Sequence, residues 1–105
     1  MPLRGKKLGL LLSTSPLNPS FQHGLRLAEA ALSQGVQVYL YCIDDAVTGL
    51  ADPRLQTIKA QGAKLFACAY GAQRRDIPLG DLATWSGLSL LSDLVADTDR
   101  FLSFN

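Results

Sequence analysis

Two rhythms of apolar positions alternate along the chain. Leu8 to Leu12 form a nearly unbroken apolar run, the pattern of a strand covered on both faces. A turn cluster, Ser15 to Ser20, follows. Phe21, Leu25, Ala28 and Leu32 then recur at helical spacing and predict a helix over 21–34, with Ser20 as N-cap and Gly35 where a terminating glycine belongs. Val36 to Ile43 is β-rich and predicts the second strand, closed by Asp44-Asp45. A short apolar segment around Val47 and Leu50 leads to a second helix start, with Asp52 as N-cap and Pro53 in the first helical position. Leu55 and Ile58 share a face of that helix, and Gly62 closes it.

Lys64 to Cys68 predicts a third strand, and Tyr70 to Arg75 one or two helical turns before Asp76-Ile77-Pro78 breaks them. A loop or short strand runs through Leu79 to Trp85. Leu88, Leu91 and Val95 mark a further helix with Ser86 as its cap, and Arg100 to Phe104 the last strand. Strands alternate with helices over short connections, which implies right-handed βαβ crossovers. The expected fold is an α/β three-layer sandwich: one domain over residues 1–105, with an open, mostly parallel sheet of four to five strands and helices on both faces. In such sheets ligands gather beyond the carboxyl ends of the strands. That rule puts Ser13 to Ser20, Asp44-Asp45 and Cys68 to Arg75 on one edge.

Composition narrows the possibilities. With 105 residues, 48% hydrophobic and 18% charged, the chain is apolar for a small monomer, so part of its surface is expected to face a partner subunit. A formal charge of +1 gives no broad basic field, and no aromatic-and-basic stripe is present, which argues against direct nucleic-acid binding. No apolar run reaches the length of a membrane span. The basic start, Met1 to Lys7, precedes an apolar stretch too short for a secretory signal, and a cytoplasmic location is expected. Two cysteines make no disulfide framework in that setting. With one His and no CxxC spacing, no zinc site or other metal site is expected.

The candidate nucleophile is Cys68. A cysteine where a strand gives way to a helix sits near free backbone N–H groups and the positive end of a helix dipole, both of which favour the reactive thiolate. Arg74 and Arg75 add positive charge nearby, and Asp45 either faces the same mouth or caps the next helix. The plainer account of Cys68 is a small buried hydrophobe at a strand end. Cys42, inside the second strand with no basic neighbour, reads as a core thiol, and His23 as a surface or capping residue. The loop from Ser13 to Ser20 has no glycine and matches neither phosphate-binding glycine motif. Cys68 to Arg74 spells C-x-x-G-x-x-R, similar to the phosphate loop of cysteine-dependent phosphatases. Ala67 stands where that family has histidine, however, and Arg75 where it has Ser or Thr.

Taken in order, several segments resemble the DsrE/DsrF family of sulfur-relay proteins, which includes TusD-like subunits. They are the first strand with its Pro/Ser loop and helix, Ile43-Asp44-Asp45-Ala46-Val47, Phe66 through Cys68 and Arg74-Arg75 to Ile77, and Gly87 through Phe104. Ala46 replaces a common glycine, and Asp76-Ile77 a common Gly-Val. The resemblance implies a cytoplasmic homo- or hetero-oligomer, often trimeric or hexameric. Its Cys68 would accept a sulfane sulfur as a persulfide from one protein and pass it to another, with no metal or organic cofactor. Arg74, Arg75 and Asp45 would serve binding. It also leaves room for a non-catalytic, oligomer-forming subunit. The family's branches in sulfur oxidation and in tRNA thiolation are equally compatible with these residues.

Overall fold

In the computed structural model, which describes residues 3–105, strand and helix alternate throughout. Met1 and Pro2, the start of the basic N-terminal stretch, lie outside the described residues. The elements are β1 (Lys7–Leu12), α1 (Pro19–Ser33), β2 (Gln37–Cys42), a 3-10 segment (Asp44–Gly49), α2 (Pro53–Ala60), β3 (Lys64–Cys68), α3 (Ala69–Arg74), β4 (Thr84–Ser86), α4 (Leu88–Asp97) and β5 (Arg100–Phe104). All five strands are parallel, in the order β4-β3-β2-β1-β5. Each of the first three crossovers steps one place along the sheet; the last carries the chain back across it to the far side of β1.

The helix ends show why these segments fold as they do. Asn18 caps α1, its side chain accepting from the Ser20 N–H at 2.9 Å, and Pro19 takes the first turn, where its missing N–H costs nothing. The cap expected at Ser20 therefore lies two residues earlier, because Asn18 offers a carbonyl oxygen at the right reach. Asp52 caps α2 as expected, accepting from the N–H groups of Arg54 and Leu55. Gly35 and Gly62 follow the two helices with φ of +78° and +116°, a conformation side-chain-bearing residues rarely adopt. Ser86 is not a helix cap. It ends β4, and Gly87 precedes α4 without a side-chain cap.

The alternation of side chains along each strand divides the interior in two. Leu8, Leu10, Leu12, Val38, Leu40, Cys42, Leu65 and Ala67 point to one face, where Phe21, Leu25 and Ala28 of α1 and Leu55 and Ile58 of α2 cover them. Tyr41 and Cys68 point to the other with half-buried Leu11, Tyr39, Ile43, Phe66 and Phe101; there α4 alone supplies cover, through Leu90, Leu91 and Leu94. An ion pair between Arg54 and Glu29 ties α2 to α1 at the surface. The Arg54 hydrogen bond holds the Glu29 carboxyl below the usual carboxylate range. Among the described residues, no helix is long and apolar enough to cross a membrane.

Candidate functional site

A cavity of about 570 Å³ opens at the carboxyl ends of β2 and β3. Its walls are Ile43 and Asp44 from the end of β2, Cys68 at the end of β3, Tyr70, Gly71, Arg74 and Arg75 from α3 and its end, and Gly87 and Leu88 entering α4. Two of the three segments expected on this edge thus meet at one hollow. The third, Ser13 to Ser20, contributes nothing to its lining.

Cys68 sits at the base, 6% exposed. It acts as the N-cap of α3: its sulfur accepts from the Gly71 N–H at 3.3 Å. α3 has only six residues, so the local electrostatic support for this sulfur is that one aimed amide rather than the dipole of a long helix. The adjacent thiol, Cys42, faces the opposite side of the sheet. It is completely buried, and burial alone pushes it up to about 12.

The paired arginines do different work. Arg75 bonds the Asp45 carboxylate through Nε at 3.3 Å and Nη2 at 3.0 Å, and its Nη1 donates to the Gly71 carbonyl at 3.2 Å. It therefore locks the end of α3 to the 3-10 segment and braces the residue whose amide holds the Cys68 sulfur. Among the described residues Arg74 makes no salt bridge; its guanidinium lies 5.8 Å from the centre of the Tyr70 ring. Of the two adjacent aspartates, Asp45 is spent on Arg75, and Asp44 is the one that lines the cavity. Asp44 has φ of +53°, a left-handed conformation that Asp tolerates better than most side chains.

The pattern of residues in the sequence put Asp44 and Tyr70 on this edge without giving either a role, and did not reveal Gly87, Leu88 or the buried Tyr41 beneath them. The Tyr41 hydroxyl donates to the Gly87 carbonyl at 3.0 Å. Burial above all pushes this phenol up; the Ser86 hydroxyl beside it pulls the other way, and the nearby Cys68 sulfur adds to the rise. The only legible signal for these residues was position at a strand end. His23 is exposed on α1, away from the cavity. Among the described residues, no three His, Cys, Asp or Glu side chains converge in a way that could hold a metal ion.

The phosphate-loop reading of C-x-x-G-x-x-R does not survive the geometry well. A phosphate cradle needs a loop whose successive amides point inward, whereas residues 69–74 form an α-helix that uses its later amides internally. What the arrangement can do is hold one sulfur against an amide donor in a partly apolar hollow, with the Arg74 guanidinium in its wall.

The model of the DsrE/DsrF-like family matches residues 6–104. No curated protein matches the sequence. Among solved structures, the crystal structure of the ychN protein from E. coli is similar, with a TM-score of 0.82 and 24% identity, over 94% of this chain and 99% of that one. At that identity the likeness is one of fold.

Proposed function

The chain belongs to the DsrE/DsrF-like family, whose members are generally concerned with sulfur relay, and on that premise we propose that it is a sulfur carrier working through Cys68. The observation that supports this most is the setting of the sulfur: in the lining of an open cavity, bonded to the Gly71 amide, with the Arg74 guanidinium in the same wall. The Cys68 thiolate attacks the outer sulfur of a donor persulfide. A new S–S bond forms as the donor's breaks, and the electron pair leaves on the donor sulfur as a thiolate. The outer sulfur keeps its proton and there is no net redox change. The acceptor's thiolate later repeats the exchange on Cys68. Neither metal nor organic cofactor enters these steps.

Donor and acceptor are proteins in this reading, the compartment is the cytoplasm, and the carrier is a homo- or hetero-oligomer. Half-buried Leu11, Ile43, Phe66, Leu90 and Phe101, with exposed Leu88 and Val95, support a subunit contact on the α4 face. Incubation with a persulfide donor followed by intact mass measurement tests the proposal. One added sulfur per chain is expected, absent in Cys68→Ser; no added sulfur in the native protein overturns it.

One observation favours a second reading, a non-catalytic oligomer-forming subunit: Cys68 is only 6% exposed. That reading expects native Cys68 to resist small alkylating reagents and the oligomer to be indifferent to Cys68→Ser.

A further inference from the structure

Cys68 and Ser86 are register partners across the β3–β4 ladder. Their side chains therefore leave the sheet on the same face, roughly 5 Å apart. The Ser86 oxygen has less than 1 Å² exposed and, among the described residues, no hydrogen-bond partner of good geometry. A buried hydroxyl without a partner is costly to keep and uncommon in folded proteins. Tyr41 is the nearby alternative partner, and the Ser86 hydroxyl lies close enough to draw the phenol down. Yet the Tyr41 proton is committed to the Gly87 carbonyl and, among the described residues, no bond of good geometry joins the two oxygens. An edge strand has ample freedom to carry a small apolar residue here. The hydroxyl instead sits beside the one sulfur that lines the cavity.

We propose that Ser86 is a positioning residue for Cys68, its hydroxyl donating a hydrogen bond to Sγ when that sulfur is a thiolate. A neutral thiol sulfur is a weak acceptor and a thiolate a strong one, so the pull on this donor is strongest when the sulfur is charged. When the proton leaves, a rotation about the Ser86 Cα–Cβ bond turns the hydroxyl toward Sγ, where it joins the Gly71 amide as a second donor. The hydroxyl keeps its proton throughout; it stabilises the charged form and fixes the direction of the lone pair that attacks. The same bond favours the Cys68 thiolate as leaving group when an acceptor removes the sulfur. This inference rests on the sulfur-carrier reading for its purpose, but the hydrogen bond itself can be tested without any sulfur donor.

The test is the pH profile of Cys68 alkylation by iodoacetamide, a small uncharged reagent, in the full chain, with denaturation midpoints recorded alongside. Ser86→Ala is expected to move the profile to higher pH by about one pH unit, the size of one hydrogen bond to a charged group. Ser86→Thr, which keeps the hydroxyl, leaves the profile in place. Should Ser86→Ala not fold, Ser86→Val replaces it as the shape match to Ser86→Thr. Coincident profiles for the hydroxyl-bearing and hydroxyl-free proteins overturn the proposal, as does a Cys68 that stays unlabelled throughout. Sulfur transfer is scored separately. A native protein that shows the alkylation shift but takes up no sulfur keeps the hydrogen bond and overturns the carrier; one that takes up sulfur without the shift does the reverse.

Discussion

Cys42 and Cys68 lie on adjacent strands within one register step of each other, yet they belong to different parts of the molecule. Cys42 points into the face closed by α1 and α2, where apolar side chains surround the sulfur. Cys68 points to the face served by α4 alone, at the end of its strand, where an amide and a cavity meet it. The same element of the side-chain alphabet is thus a core filler on one face and a candidate reagent on the other. The face a strand residue occupies matters more here than its identity.

Labelling tests this contrast at its widest. A thiol held near 12 is ionised in roughly one molecule in ten thousand at pH 8, and Cys42 is in addition closed to solvent. Native protein is expected to take up one equivalent of iodoacetamide, at Cys68, and a second only in denaturant. Equal labelling of both sites by peptide mass analysis would break the comparison.

The faces should also differ in what they contribute to stability. Phe21→Ala, in the doubly covered face, is expected to cost about 3–5 kcal/mol in urea unfolding; Leu94→Ala, under α4, about 2–3 kcal/mol. Reversal of that order would show that the α4 face is the better packed.

A smaller effect sharpens the account of Cys42. Its folded value lies above that of an unfolded cysteine, so the native state holds this proton more tightly. The resulting stabilisation is complete below about pH 8.5 and is lost as pH rises toward 12, by about 1.4 kcal/mol per pH unit. Cys42→Ala, whatever it costs at neutral pH, should lack that slope relative to the native protein between pH 9 and 11. Smallest of all, Asp45→Ala removes an exposed partner of Arg75 and should lower stability by less than about 1 kcal/mol. It should slow Cys68 alkylation only if the brace on Gly71 matters.

Much of this architecture was legible in the residues. The Leu8–Leu12 run, the Asp52-Pro53 helix start and the Cys68 strand end all fall where the pattern puts them. Period-two alternation says that Phe66 and Cys68 share a face, but not which face receives two helices and which receives one; that depends on the strand order, a tertiary fact. Local competition explains the other differences. Asn18 outbids Ser20 as a cap, ladder pairing with β3 draws Ser86 into a strand, and the left-handed turn at Asp44 sends the neighbouring Asp45 toward Arg75. The family resemblance located Cys68 as a candidate but was silent on the polar groups around it, since Gly71 acts through its backbone and Ser86 through a ladder partner eighteen positions away.

The placement of β5 beside β1 has a consequence for how the chain is made. β1 is the first strand to be synthesised and β5 the last, and Ser13 donates to the Phe104 carbonyl at 3.2 Å across that whole separation. Until residue 104 has been made, the outer edge of β1 is an unpaired row of amides and carbonyls flanked by leucines, the kind of edge that invites pairing with another chain. The sheet therefore closes only once β5 is available, and the contact that closes it is among the most distant in sequence.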